Sequence, residues 1–173
     1  MGTTSNDIIT ADRAKSERGE QGRLETVLLA VDTKDADRID RLAETAIDIA
    51  GPPEATVVLA HVFAEEAYKE ARENLQYDPN SEVTPSVVAE RTVSVRELRE
   101  TLADASVDST VEARLKNGGS TGDRIADLAE ELGADLVIVG GRGRTPAGKA
   151  VFGSTAQTVM LTADCPVTYV RSE

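Results

Sequence analysis

Apolar and polar positions alternate along this chain in blocks whose period switches between strand and helix. "TVLLAVD" opens the pattern: Val27 to Val31 is an unbroken apolar run that stops at Asp32, as expected of a strand buried on both faces. From Ala36 the period changes, with Ile39, Leu42, Ala43, Ala46, Ile47 and Ala50 on one helical stripe that Gly51-Pro52-Pro53 brings to an end. "TVVLAHV", Thr56 to Val62, is a second buried strand, so the three elements form a parallel βαβ unit with a right-handed crossover. A long connection follows. Ala64, Ala67, Tyr68, Ala71 and Leu75 make one helical stripe, Val88, Val95, Leu98 and Leu102 make another, and "QYDPNSEVTPS" reads as an exposed break between them.

The second half repeats the alternation. "TVEARL", Thr110 to Leu115, alternates as a sheet-edge strand does, and "STGDRIADLAEELG" predicts a short helix with Ile125, Leu128, Ala129 and Leu132 inward and Gly133 at its end. "DLVIVG" is a third fully apolar strand, a last helix is expected over Ser154 to Ala163, and "PVTYV" alternates again. Three two-sidedly apolar strands and two alternating ones imply an α/β fold, a five-stranded parallel doubly wound sheet in a three-layer sandwich. The flavodoxin-like order or its relative 3-2-1-4-5 puts the alternating strands at the edges. In the latter, the first and fourth strands meet at the topological switch point, where ligands bind beyond the carboxyl ends.

Composition narrows this further. At 173 residues and 40% hydrophobic, the chain suits one domain with a substantial core, and with no Trp that core is aliphatic. Residues 1–23 balance four acids against four bases with hardly an apolar cluster, which predicts a mobile polar tail ahead of a domain over 24–173. A single cysteine, Cys165, fits a reducing compartment. No apolar run approaches membrane-spanning length, and the N-terminus lacks the order of a signal peptide, so a cytoplasmic location without membrane association is expected. The net charge of −12 argues against nucleic acid as a partner. With only five lysines, the acidic surface would also suit a salty cytoplasm.

One stretch breaks the acidic trend. From Leu136 to Ala163 there is no acidic residue, yet Arg142, Arg144 and Lys149 are present, a positive island where the switch point is expected. "GRTPAGKA", Gly143 to Ala150, nearly spells a Walker A loop, but Ala150 stands where a Ser or Thr must hold Mg²⁺, and the helix starts too late. The alternative register, Gly140-x2-Gly143-x9-Gly153-Ser154, turns the backbone at the strand end and lets it approach an anion at a helix N-terminus. A capping box of Ser154 with Gln157 is compatible with that use.

These segments resemble the universal stress protein family from about Thr26 to Arg171. The carriers are "VLLAVD", "LAHV", "GADLVIVGGRG", "FGSTAQ" and "CPVTYVR", and the glycine spacing fits the family's ATP-binding subgroup. The resemblance implies the adenine nucleotide alpha hydrolase-like version of the sandwich and an adenine nucleotide (ATP, or AMP or ADP), with any Mg²⁺ carried by the nucleotide. Ala30, Val31 and Asp32 would line base and ribose, with the Asp32 carboxylate accepting from a hydroxyl, and the backbone of Val62 would meet the adenine. Val139, Gly140, Arg142 and Gly143 would cover ribose and phosphates, and Gly153, Ser154 and Thr155 would cradle the phosphates. It also implies a homodimer through the C-terminal strand. Where many ATP-binding relatives carry Pro-Thr-Asp or Pro-Val-Asp, this chain has Ala30-Val31-Asp32.

Other users of this architecture lack their marks here. The turn after the first strand, "VDTKDAD", has neither the Gly-x-Gly-x-x-Gly of a dinucleotide enzyme nor the Ser-Gly-Gly of an ATP pyrophosphatase, and the third strand ends at Lys116-Asn117 without a receiver's phospho-acceptor aspartate. No nucleophile with its base and no metal cluster is evident, so the expectation is a stress-response binding module rather than an enzyme, with at most slow ATP hydrolysis. His61 reads as structural. The competing expectation is a relative that has given up nucleotides and works through protein contacts alone.

Overall fold

The computed structural model describes residues 22–141 and 152–171. Five strands form one all-parallel sheet in the order β3-β2-β1-β4-β5: β1 Thr26–Ala30, β2 Thr56–Phe63, β3 Ser109–Leu115, β4 Leu136–Gly141 and β5 Val167–Arg171. The expected topology is the one observed, and for the expected reason. β1 is buried along nearly all its length and sits in the centre, whereas β3 and β5, whose residues are often half-exposed, take the edges.

One face of the sheet is covered by α1 Ile39–Ala50, α2 Glu65–Asn74, α3 Pro85–Glu90 and α4 Val93–Asp104, the other by α5 Thr121–Glu131 and α6 Ser154–Thr162. Alternate residues of β1 feed the two layers. Val27 and Leu29 pack with Leu42 and Leu98, while Leu28 and Ala30 pack with Ile125 and Val159. Each fully buried Leu contributes about 1.5–3 kcal/mol, against about 0–1 kcal/mol for an exposed ion pair such as Arg23–Glu54 at 2.9 Å. The two cores hold the fold. Among the described residues no helix is long and apolar enough to cross a membrane.

Several local readings change. The helical stripe expected from Ala36 begins as a 3-10 helix, Thr33–Arg38, and becomes α-helical only at Ile39. Gly51 ends α1 in right-handed rather than left-handed geometry, at φ −61°, so its role is not the usual glycine cap; the left-handed residue is Glu54. The stripe from Val88 to Leu102 is broken between α3 and α4. The supposed exposed break before it is tied down: Arg72 Nη2 donates to the carbonyls of Asp78, Pro79 and Ser81, and the Tyr68 hydroxyl donates to that of Val83.

The α5–α6 layer depends on a glycine that periodicity does not single out. A Cβ at Gly122 would lie 2.5 Å from Thr158 Cβ and 2.9 Å from the Thr155 carbonyl oxygen, so the α5 backbone lies directly against the Thr158 side chain and the Thr155 carbonyl of α6. Gly122→Ala should therefore lower the urea unfolding free energy by about 1–3 kcal/mol, as overpacking does. An unchanged midpoint would show that α6 can retreat freely.

Candidate functional site: the parting of β1 and β4

β1 and β4 pair only as far as Leu29↔Ile138, although β1 continues beside β2 to Ala30↔Ala60 and β4 beside β5 to Gly141↔Arg171. Beyond that point their ladder stops, and the helices that come next after the two strands, α1 and α6, lie on opposite faces of the sheet. This parting is the crevice of a doubly wound sheet. At the other end an aspartate closes them: the Asp135 carboxylate accepts from the amides of Glu25 and Thr26 at 2.9 and 3.0 Å.

Ala30 and Val31 are buried on the β1 side and Asp32 is exposed beyond them. Val31 is fixed twice. Its amide donates to the Ala60 carbonyl at 2.8 Å, and its carbonyl accepts from His61 Nδ1 at 2.7 Å. That bond sets the protonated nitrogen of His61, while Phe63 stands edge-on to its ring with centroids 4.2 Å apart. His61 thus holds the end of β1 in place, the structural role expected of it. Val62 follows, half-buried.

On the β4 side, Val139 is buried and Gly140 half-buried. Gly140 has a packing reason to be glycine: a Cβ would sit 3.1 Å from Arg38 Cδ and 3.3 Å from Leu42 Cδ2. Gly141 has a stronger one, because a Cβ would lie 2.7 and 2.8 Å from ring atoms of Tyr169. Arg142, Gly143, Arg144 and Lys149 lie outside the described residues, as does the near-Walker register as a whole.

The chain re-enters at Phe152, whose ring stands edge-on to Tyr169 at 4.9 Å, and α6 follows. Here the capping-box reading is corrected. Gly153, not Ser154, is the N-cap, at φ −59° and ψ 157°; Ser154 is the first helical residue, and among the described residues no side chain caps the helix. A serine already in helical geometry cannot reach back over its own turn as a cap does. The first backbone bond closing the helix runs from the Gln157 amide to the Gly153 carbonyl at 3.0 Å, so the amides of Ser154, Thr155 and Ala156 precede it. Gly153 and Ser154 are exposed and Thr155 half-buried.

Gly153 differs from the other two glycines. A Cβ there meets nothing within 4 Å among the described residues, and its φ is open to any L-residue. Among the described residues neither packing nor backbone geometry requires glycine there.

A buried ion pair lies beneath the β1 end, and the strand pattern does not reveal it. Asp35 Oδ2 accepts from the Asp32 amide at 2.7 Å, and Asp35 Oδ1 lies 3.2 Å from Arg38 Nε, off the line of that N–H, so the attraction is Coulombic. Only the i,i+3 spacing of Asp35 and Arg38 hints at it in sequence. Burial holds the Asp35 carboxyl above its ordinary 3.8, outweighing the Asp32 amide and the Arg38 charge that favour ionisation; Asp32 adds to the rise and His61 opposes it. Between 3.8 and the raised native value the folded state binds more protons than the unfolded one. Asp35 should therefore make stability fall as pH rises through that window, with no further slope above it. Urea unfolding of wild type and Asp35→Asn across this range checks the sign, since the variant should lack that component of the slope.

The description "Universal stress protein family" belongs to the family model that matches residues 23–171. A curated relative, universal stress protein G of Shigella flexneri, is 43% identical over 53 residues, 31% of this chain and 37% of the relative. The match therefore spans little more than a third of that relative's length. Among solved structures, the universal stress protein from Archaeoglobus fulgidus in complex with dAMP matches with a TM-score of 0.61 at 20% identity, covering 85% of this chain and 98% of its own. A universal stress protein in complex with cAMP matches at 0.57 and 22% identity, covering 87% and 99%. At such identities these two likenesses speak for the fold.

Proposed function

The chain belongs to the universal stress protein family, and from that premise we propose that it binds an adenine nucleotide between the parted ends of β1 and β4 and works as a stress-response switch. Gly153 carries the reading. Among the described residues nothing packs where its Cβ would stand and no side chain caps the helix it opens, and a phosphate brought against the backbone would give the glycine its purpose. The positive island of Arg142, Arg144 and Lys149 within a chain of net charge −12 supports an anionic ligand. The dAMP and cAMP held by structural relatives agree with an adenine monophosphate unit as the common part.

In this reading Ala30, Val31 and Asp32 face base and ribose, the exposed Asp32 carboxylate accepts from a ribose hydroxyl, and Val62 backbone groups meet the adenine. Val139, Gly140, Arg142 and Gly143 cover ribose and phosphates. Gly153, Ser154 and Thr155 offer amides and hydroxyls to the phosphates. ATP is the ligand the glycine spacing favours, and a Mg²⁺ ion would travel on its phosphates. The chain acts by binding, not turnover. Isothermal titration with ATP, ADP, AMP and cAMP tests this, and Gly153→Val should abolish binding with native far-UV circular dichroism, because the fold has room for the side chain. Unchanged affinity would remove the phosphate loop from the account, and wild type silent toward all four nucleotides would favour the relative that works through protein contacts alone.

We also propose a homodimer through β5. Val137 pairs with Val167 while its amide donates to the Pro166 carbonyl at 3.0 Å, so in a parallel ladder the groups of Pro166, Thr168 and Val170 face β4. The amides of Val167, Tyr169 and Arg171 face outward from a sheet edge, which natural proteins seldom leave open. Val167→Pro removes an outward amide without touching the β4 ladder and should shift a wild-type dimer to monomer in sedimentation equilibrium. A wild-type monomer at micromolar concentration and moderate salt would refute the pairing.

A further inference from the structure

The segment between β1 and α1 contains a connection across the crevice that no nucleotide contact accounts for. Asp35 and Arg38 are about nine-tenths buried, with side chains 9% and 10% exposed. One carboxylate oxygen of Asp35 holds the Asp32 amide at 2.7 Å, and the other faces the Arg38 guanidinium at 3.2 Å. The aliphatic part of Arg38 then lies against Gly140, where even a Cβ would come within 3.1 Å of Arg38 Cδ. The chain of contacts runs from Asp32 through Asp35 and Arg38 to Gly140. It joins the ends of two strands whose own ladder stops at Leu29↔Ile138.

We propose that the Asp35–Arg38 pair is a positioning strap that sets the separation of the β1 and β4 ends and thereby the affinity for nucleotide. This rests on the nucleotide reading above. Neither residue needs to touch the ligand. Asp35 fixes the direction in which the chain leaves β1, and so where the Asp32 carboxylate stands. Arg38 acts as the spacer beneath Gly140. Buried charges cost much desolvation, and a pair retained at a strand crossover in place of an apolar contact fits a positional role better than a stabilising one. The bond to the Asp32 amide is charge-assisted, which makes its direction stiff.

The test is isothermal titration of the full chain with ATP and with AMP. Asp35→Asn and Arg38→Met should each weaken both nucleotides by about tenfold, because each removes one charge of the pair that fixes the strand ends. Arg38→Lys, which keeps charge and stem, should return affinity to within about threefold of wild type. Leu98→Ala is the control. It removes a fully buried side chain that belongs to the same core but not to the Asp32–Asp35–Arg38–Gly140 chain of contacts, and should lower the melting temperature while leaving affinity within about threefold.

Should Asp35→Asn fail to fold, the comparison of Arg38→Met with Arg38→Lys decides alone. Equal affinities for those two, or a loss in Leu98→Ala as large as that in Arg38→Met, would overturn the strap. Wild type that binds neither ATP nor AMP would overturn the nucleotide reading along with it. Wild-type binding that the variants leave unmoved would overturn the strap alone.

Discussion

Everything in this molecule depends on β1 being hydrogen-bonded on both sides and apolar on both faces. A strand with no polar face cannot lie at an edge or on the surface, so both helical layers must close over it. Its neighbours β2 and β4 come from different halves of the chain, and their connections leave on opposite sides. The crevice is the geometric remainder of that arrangement. Asp135 closes the strands at one end and the ladder lets go at the other.

Glycines separate what the fold requires from what a ligand would require. Gly122 and Gly141 stand where another residue's atoms already occupy the space for a Cβ, and at Gly140 a Cβ would press on the Arg38 and Leu42 side chains. Among the described residues nothing stands where a Cβ of Gly153 would go, and Val159, the buried valine of α6, comes six residues later. Among the described residues neither sterics nor φ requires Gly153, so it is the glycine of the spacing for which a ligand supplies a purpose. The physical content of the glycine spacing therefore resides in its last member.

The sheet order was legible because burial on two faces and on one face leave different hydrophobic periods, as in "TVLLA" against "TVEARL". The location of the crevice followed from that order. What pattern could not show was contact made across the grain of the strands. Tyr169 reads as one more alternating strand residue, yet its ring decides that Gly141 is glycine. Arg72 looks like a solvated charge until it gathers three carbonyls of residues 78–81. Ser154 with Gln157 spells a capping box, but the helix begins one residue earlier than a serine cap needs, with Gly153 in the capping position. Asp35 and Arg38 have a spacing that any exposed helix shows. Their burial is a tertiary fact.

The backbone contact at Gly122 gives α5 an influence beyond its own length. α5 and α6 are separated in sequence by β4 and residues 142–153, but Gly122 brings the α5 backbone directly against the Thr158 side chain and the Thr155 carbonyl, so the tilt of one helix is inherited by the other. Domain-shuffled or chimaeric descendants that took the glycine-loop segment from one parent and α5 from another would receive a helix entrance aimed by the wrong partner. Thr121–Glu131 and Ser154–Thr162 thus form a unit of inheritance, whose boundaries follow the packing of the chain rather than its order.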